Sequence, residues 1–281
     1  MTSTTNKYRH EIDGLRAFAV LAVIINHFNK DLLPSGYLGV DIFFVISGYV
    51  ITSSLTGRKN KSFAEFITGF YGRRVKRLIP ALVFFVLFTS IFICIFNPEP
   101  IVALKTGFFS LFGFSNVYLF SQSTDYFSQS TELNPFTHTW SLGVEEQFYF
   151  LFPFLIWFTG YGRQASQSNK RLLYTTLLLS IISFVVFNYF YTINLSAAYF
   201  LMPTRFWEMA SGSIAFLIFQ NYSFFKKIVK NISSEIIILV ISLTMFSPLK
   251  YGNISTLLIV FLTVLLLGTL RKNTFLFNVF S

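Results

Sequence analysis

The sequence predicts an all-α, polytopic transmembrane helical bundle, and three observations support this class. Of the 281 residues, 53% are hydrophobic and 12% are charged, whereas an ordinary soluble domain carries roughly 25% charged residues. Apolar runs recur that approach the roughly 20 residues with which a helix crosses a bilayer core of about 30 Å. The runs at 78–96 and 254–270 do not alternate apolar and polar residues, as the strands of a membrane barrel would.

Apolar runs along the chain give nine candidate spans. They cover residues 14–29, 36–55, 78–97, 101–120, 138–159, 172–191, 202–222, 234–247 and 254–270. Because basic residues concentrate on the cytoplasmic side of membrane proteins, their positions decide how many of these runs cross. If all nine cross, the loops divide ten basic residues against nine, which gives no orientation.

A different division follows if the run at 101–120 enters and leaves on the outer side. Only Lys30 and Lys250 then face outside. The other seventeen face the cytoplasm: Lys7, Arg9, Arg58, Lys59, Lys61, Arg73, Arg74, Lys76, Arg77, Arg163, Lys170, Arg171, Lys226, Lys227, Lys230, Arg271 and Lys272. The sequence therefore predicts about eight crossings plus one re-entrant or broken segment, with both termini cytoplasmic. That segment differs from the other spans in composition, because it contains a lysine and two glycines, Lys105, Gly107 and Gly113.

The segments between the runs complete the predicted organisation. Residues 62–77 place aromatic side chains at helical spacing beside four basic residues, which predicts an interfacial helix on the cytoplasmic side. Residues 121–137 contain acids and no Lys or Arg, as expected for an external loop. We find no repeat and no long linker, so residues 1–281 are expected to form a single transmembrane domain. The net charge of +10 lies between the apolar runs and does not indicate a nucleic-acid partner.

Ionisable side chains inside apolar helices are costly, and they are the first candidates for function. On the first helix, Arg16 and His27 are eleven residues apart, which places them on one face and about 16 Å apart along the axis. One face thus presents an anion-binding group and a titratable imidazole. The alternative is a snorkelling Arg16 and a His27 at the interface.

The second helix carries Asp41 within the string GVDIFFVISGYVIT, followed by Ser47. An aspartate near a helix N-terminus is stabilised by the helix dipole, which would account for it without function. Because a short loop makes the first two helices neighbours, Asp41 is equally a partner for His27 and would fix its tautomer.

The string HTWSLGVEEQFYF opens the helix at 138–159. His138 and Glu145 share a face within about 20°, whereas Glu146 points about 80° away from His138. At least one of the two glutamates is expected to face a polar cavity, unless both pair with basic groups. The basic groups considered are Arg16, Lys105 and Arg205.

A later helix contains PTRFWEMASGS, in which Arg205 and Glu208 are three residues apart. This spacing allows a pair on one helix face. Such a pair either clamps helices as a salt bridge or lines a cavity.

Five motifs in this order resemble the acyltransferase 3 family of bacterial membrane O-acyltransferases, which includes O-antigen acetylases. They are the first-helix arginine and histidine separated by ten residues, then GVDIFFVISGYVIT, FYGRRVKRLIPA, HTWSLGVEEQFYF and RFWEMASG. The family motifs fall on Arg16 and His27; on Gly39, Asp41, Phe43, Phe44, Ser47 and Gly48; on Arg73, Arg74 and Arg77; and on His138, Trp140, Ser141, Glu145, Glu146 and Gln147. Full members carry further helices, so we expect this chain to be truncated at its C-terminus.

The resemblance implies transfer of an acyl group, usually acetyl, from cytoplasmic acyl-CoA to a hydroxyl of an extracytoplasmic polysaccharide, lipopolysaccharide or other glycan. We expect His27 to be the general base, with Asp41 or Glu145 orienting it. Arg16 is expected to hold the donor, and Arg73, Arg74 and Arg77 to attract its phosphates. Further cavity candidates are Ser47, His138, Ser141, Glu146, Arg205 and Glu208. No metal and no permanently bound cofactor are expected.

The expected location is the bacterial cytoplasmic membrane, and the expected partners are the lipid bilayer, acyl-CoA, the glycan and glycan-assembly proteins. Two other functions fit the same charges. A transporter or flippase of a lipid-linked glycan or acyl donor also needs charged groups facing a cavity. A shortened chain is also compatible with an inactive fragment or a structural subunit of an assembly complex. Release of free CoA from acetyl-CoA distinguishes an acyltransferase from a carrier.

Overall fold

The computed structural model describes residues 9–56, 62–122, 134–160, 167–222, 224–225, 229, 231–246, 252–270 and 280. Within these ranges the regular structure is helical, and they contain no strand. The helices are α1 (His10–Phe28), α2 (Gly39–Thr56), α3 (Phe63–Phe96), α4 (Ile101–Leu111), α5 (Ser115–Gln122), α6 (Thr139–Phe158), α7 (Ser168–Ile193), α8 (Leu195–Phe200), α9 (Met202–Asn221), α10 (Ser234–Met245) and α11 (Gly252–Thr269). A 3-10 turn at Gly36–Leu38 precedes α2. The all-helical class is therefore confirmed.

Each apolar run of the sequence coincides with helix. Four segments among the described residues are long and apolar enough to cross a membrane: Gly36–Thr56, Phe63–Phe96, Ser168–Ile193 and Gly252–Thr269. Two shorter apolar helices are Ile101–Leu111 and Ser234–Met245. The structure thus supports a helical membrane protein, while the count of eight crossings stays a prediction.

The segment at 62–77 is not a separate interfacial helix, because it continues into the next run as α3. Ser62 begins α3 by accepting a hydrogen bond from the backbone N–H of Glu65, and Pro80 lies inside the helix. At about 1.5 Å per residue this helix is roughly 50 Å long, which exceeds a hydrocarbon core of about 30 Å. The basic residues in its first half and the apolar remainder are therefore two parts of one helix.

The chain divides into two compact units. The first comprises residues 1–57, 169–180 and 207–281, and the second comprises residues 58–168 and 181–206. The prediction of a single domain over 1–281 remains a prediction.

Close backbone packing holds the first unit together. A Cβ atom added to Gly39 would lie 2.3 Å from Ala19 O, so α1 and α2 touch at this point. The contact between α2 and α9 is closer still, since a Cβ on Gly48 would lie 1.8 Å from Met209 O, and one on Gly212 would lie 1.8 Å from Val45 O. Small residues allow such approach between membrane helices, and here it is reciprocal.

A broken helix distinguishes the second unit. The run at 101–120 is interrupted between α4 and α5, where Gly113 adopts a φ of +73°. Gln147 Nε2 donates to Gly113 O (3.0 Å) and to Asn116 Oδ1 (2.8 Å), while Asn116 Nδ2 donates to Phe200 O (2.9 Å). These amides satisfy backbone that a continuous helix would have paired. The break that the sequence predicts in this run is therefore present.

Candidate functional site

His27 lies in the last turn of α1, in the first unit, and its side chain is exposed. Its Nδ1 is 2.9 Å from Val23 O, one turn earlier on the same helix. Because a carbonyl oxygen only accepts, this contact places the imidazole proton on Nδ1 and leaves the lone pair on Nε2. In the neutral ring, Nε2 is therefore the nitrogen that can accept a proton.

Arg16 lies two turns into α1 and is only 20% exposed in its side chain. Its Nη1 is 3.8 Å from Asp13 Oδ1, and its guanidinium lies 5.5 Å from the centre of the Phe43 ring. Its Nε is buried and has no hydrogen-bond partner among the described residues. This guanidinium is only partly paired, and its Nε–H still lacks a hydrogen-bond acceptor. Such a group is suited to binding an anion.

Two carboxylates of the first unit are fully buried. Asp41 stands in the first turn of α2, and Glu208 lies on α9 beside the close contact with α2. Ser47, one residue before Gly48, is also fully buried. In the described part of the chain, His27 hydrogen-bonds Val23 O and not Asp41. The pairing of His27 with Asp41 is thus not a contact of this structure.

The charges of the second unit form a connected group on α3 and α6. Arg74 Nη2 lies 2.9 Å from Glu146 Oε1 and 3.8 Å from Glu145 Oε1, and Arg74 Nε donates to Glu146 Oε1 at 3.0 Å. The guanidinium lies 3.3 Å from the centre of the Tyr149 ring, and the Tyr149 hydroxyl donates to Glu145 Oε1. The adjacent glutamates are thus paired with a cation other than those considered from the sequence.

The Tyr71 hydroxyl attaches α3 to α6 one turn before a proline. Pro153 lies inside α6 and has no N–H, so the carbonyl of Tyr149 loses its helical donor. The Tyr71 hydroxyl of α3 lies 3.3 Å from Tyr149 O and donates to Phe150 O at 2.8 Å. This contact holds the α3 backbone near Arg74 against the segment of α6 that carries the glutamates.

The other basic side chains of this part of α3 are exposed, unlike that of Arg74. Arg73, Lys76 and Arg77 are exposed, and no described carboxylate lies within ion-pair distance of them. The basic motif is therefore divided between an engaged Arg74 and three open cations.

The remaining predicted residues of the second unit lie at its aromatic contacts. His138 directly precedes α6 and is exposed, with its ring centre 5.4 Å from that of Phe85. Ser141 Oγ donates to His138 O at 3.2 Å. Arg205 is buried, with its guanidinium 4.9 Å from the centre of the Tyr199 ring and 5.8 Å from that of Trp140.

Sequence reasoning missed several polar side chains that the structure brings to these groups. Tyr149 stands four residues after Glu145, a spacing that places both on one helix face and would have revealed it. Asn116 of the broken helix carries no comparable signal, because its partners Gln147 and Phe200 are distant in sequence. Across the described ranges, no three His, Cys, Asp or Glu side chains are grouped as metal ligands.

These observations define a helical membrane protein with an exposed histidine, buried carboxylates and both engaged and open guanidinium groups. The sequence profile of the family described as "Acyltransferase domain" matches residues 9–279, so the chain belongs to the acyltransferase 3 family. It is 38% identical over 239 residues to "O-acetyltransferase OatA" of Staphylococcus aureus (strain NCTC 8325 / PS 47), which covers 84% of this chain and 39% of that relative.

A second relative supports the same family. "Putative O-acetyltransferase SAS0844" of Staphylococcus aureus (strain MSSA476) is 39% identical over 151 residues, covering 53% of this chain and 25% of that protein. The chain thus spans about two fifths, or less, of the length of these curated relatives. No solved structure matches it.

Proposed function

We propose that this protein is a membrane O-acetyltransferase that moves an acetyl group from cytoplasmic acetyl-CoA to a hydroxyl of an extracytoplasmic glycan. The observation that carries the proposal is His27, whose ring proton is held by Val23 O so that Nε2 is the basic nitrogen. Membership of the acyltransferase 3 family and likeness to two proteins named O-acetyltransferases support the reaction class.

The chemistry needs a base because an alcohol has a high pKa. In the proposed step, His27 Nε2 takes the proton of the acceptor hydroxyl, and the hydroxyl oxygen attacks the thioester carbonyl of the donor. The C–S bond then breaks, the ester forms, and the proton reaches the departing CoA thiolate. Asp41, which is buried in the first turn of the neighbouring helix α2, is the carboxylate proposed to stabilise the imidazolium.

The donor is held by cations in this proposal. Arg16 offers a guanidinium whose Nε has no hydrogen-bond partner in the described ranges, and Arg73 and Arg77 offer exposed guanidinium groups. Phosphate groups favour such donors, because guanidinium binds them through paired, charge-assisted hydrogen bonds. Donor and acceptor approach from opposite faces of a bacterial cytoplasmic membrane in which the N-terminus is cytoplasmic.

The test is the fate of acetyl-CoA in membranes that contain the protein. With a glycan acceptor present, we expect release of free CoA together with an acetyl-sized mass increment on the glycan. Membranes carrying His27→Ala at equal protein level are the matched control and should do neither. Transport of a lipid-linked glycan or donor without consumption of acetyl-CoA would instead identify a carrier and overturn the proposal.

The acceptor is identified by mass analysis of cell-surface glycans with and without the gene. Loss of one acetyl increment from one glycan class, restored by the wild-type gene and not by His27→Ala, supports the proposal and names the substrate. Unchanged acetylation of every surface glycan at matched expression contradicts it.

A further inference from the structure

The helices α1 and α3 end in the same local pattern. Asn29 directly follows α1, and Asn97 directly follows α3. An acidic residue stands two positions after each asparagine, and its backbone N–H donates to the asparagine Oδ1, from Asp31 at 2.8 Å and from Glu99 at 2.9 Å. Because the two turns are alike, a contact that is added at only one of them is not needed to end a helix.

The turn after α1 has such an additional contact. Asn26 is 7% exposed, and its Nδ2 donates to Leu33 O at 2.8 Å and to Pro34 O at 3.1 Å. The exposed residues 29–32 are thus held between the end of α1 and a segment that is tied back to the same helix. In the described turn after α3, the side-chain hydrogen bond is that of Asn97 alone.

The end of this segment is fixed from two further sides. The backbone N–H of Ser35 donates to Met245 O at the end of α10, at 2.8 Å. A Cβ atom added to Gly36 would lie 2.5 Å from Ala22 O and 2.8 Å from Asn26 Cβ, so the backbone here touches α1. Residues 29–32 therefore have little freedom to move relative to the last turn of α1, which carries His27.

The position and chemistry of this turn suit it to contact an acceptor at His27. Four steps of about 3.8 Å between successive Cα atoms place Asp31 Cα at most about 15 Å from His27 Cα. An oligosaccharide whose reacting hydroxyl meets His27 can thus contact the turn through the same or an adjacent sugar unit. Asp31 is exposed, and no described basic side chain lies within ion-pair distance of it. Both oxygens of a carboxylate accept hydrogen bonds from hydroxyl groups.

We propose that Asn26 is a positioning residue that holds residues 29–32 beside His27, where the Asp31 carboxylate binds a hydroxyl group of the glycan. The acceptor is then a sugar that presents a further free hydroxyl group near the one that is acetylated. A site built to bind such a hydroxyl discriminates against sugars that lack it. The proposal rests on the proposed transfer of acetyl to a glycan.

The first experiment measures whether a glycan covers the turn, and it needs no turnover. In a Cys94→Ser background, Lys30→Cys places the only thiol in the turn after α1, and Pro98→Cys places it in the matched turn after α3. The soluble surface-glycan fraction should slow labelling of Lys30→Cys by a bulky maleimide about threefold or more, because a bound glycan shields the thiol. Labelling of Pro98→Cys should not change. Addition of Asp31→Asn to Lys30→Cys should abolish the shielding.

The second experiment separates positioning from simple loss of structure. In the acetylation assay, Asp31→Asn should raise the KM for the glycan about tenfold and leave the KM for acetyl-CoA unchanged. Asn26→Ala should do the same, but it should add less than about twofold in the Asp31→Asn background, because both changes act on one contact. Asn26→Gln keeps an amide donor and should recover part of the affinity. Glu99→Gln is the matched control and should change neither KM.

Several results would overturn the proposal. Equal shielding of Lys30→Cys and Pro98→Cys, or shielding of neither, would show that the turn does not bind the glycan. An unchanged glycan KM in Asp31→Asn, whose exposed side chain is not needed for folding, would exclude the carboxylate. Independent losses from Asn26→Ala and Asp31→Asn would deny Asn26 its positioning role. Shielding of Lys30→Cys without acetyl transfer by the wild type would instead refute the proposed function and keep glycan binding by the turn.

Discussion

The charged groups of the two units are built in opposite ways. In the first unit, His27 is exposed and makes one hydrogen bond to its own helix, and Arg16 has one carboxylate neighbour, Asp13, at 3.8 Å. In the second unit, Arg74, Glu145 and Glu146 contact one another directly, and Tyr149 closes the group from two sides. We call the first group open, because Arg16 Nε has no described hydrogen-bond partner, and the second saturated, because its members bind one another.

This difference teaches which residues can act as reagents and which hold a framework. A reagent must exchange protons or anions with a substrate, so its replacement should abolish chemistry and leave the fold intact. A group whose members satisfy one another contributes position, and removal of one member leaves the others buried without compensation. The two signatures are separable, because one appears in turnover and the other in the free energy of unfolding.

The largest effect is expected at the open group. His27→Ala removes the proposed base and should lower acetyl transfer by roughly a hundredfold to ten-thousandfold. Protein level and thermal stability in detergent should match those of the wild type, because the imidazole is exposed and bonds only to its own helix. The measurement is acetyl-CoA consumption per unit of purified protein.

His10→Ala provides the matched control for this prediction. His10 begins the same helix α1, is also exposed, and has no proposed role in the reaction. Its replacement should keep acetyl transfer within about twofold of the wild type, which RT at 25 °C makes less than about 0.5 kcal/mol in the barrier. Equal activity of His27→Ala and His10→Ala would show that His27 takes no part in the reaction. It would also contradict the contrast drawn between the two units.

The framework of the first unit should break at its closest helix contact. Gly48→Ala places a methyl group where Met209 O lies 1.8 Å from the ideal Cβ, so α2 and α9 must separate. We expect a loss of about 3 kcal/mol in the free energy of unfolding. Thermal unfolding in detergent should show Gly48→Ala well below the wild type, and Gly72→Ala, which meets no atom within 4 Å, at or above it.

The sequence predicts the helices well, because each depends on a local run of apolar residues. The nine runs coincide with helices because an apolar helix satisfies its own backbone. The glycines of 101–120 predict a re-entrant or broken run, and the structure places the break at Gly113. The pairing of Arg74 with Glu146 joins residues 72 positions apart, and no spacing rule reaches that far. The continuity of α3 was also beyond prediction, since the charge pattern indicates where a helix leaves the apolar core and not whether it ends there.

The stability of the second unit should depend on the backbone conformation at its broken helix. Gly113 adopts a φ of +73°, a conformation that costs a residue with a Cβ roughly 1–2 kcal/mol. Gly113→Ala should therefore lower the free energy of unfolding by about that amount, measured by thermal unfolding in detergent. Gly113→Asn should lose less, because asparagine enters this conformation more readily. Equal losses for both variants would mean that the contact with Glu146 Cβ, 3.3 Å from the ideal Cβ, outweighs the backbone cost.

The smallest effect tests whether the first unit also contains a saturated cation. Arg9 precedes α1 and donates to Glu11 Oε1, to the Tyr49 hydroxyl at 2.9 Å and to Leu267 O at 3.3 Å. Tyr49→Phe removes one of these three acceptors and keeps the ring that packs edge-on against Phe216, so about 0.5–1.5 kcal/mol of stability should be lost. Acetyl transfer should stay unchanged, because protein groups engage Arg9 as they engage Arg74, and Arg9 has no proposed role in the reaction. A loss of turnover without a loss of stability in Tyr49→Phe would place Arg9 among the reagents, and engagement by protein groups would then no longer separate framework from chemistry.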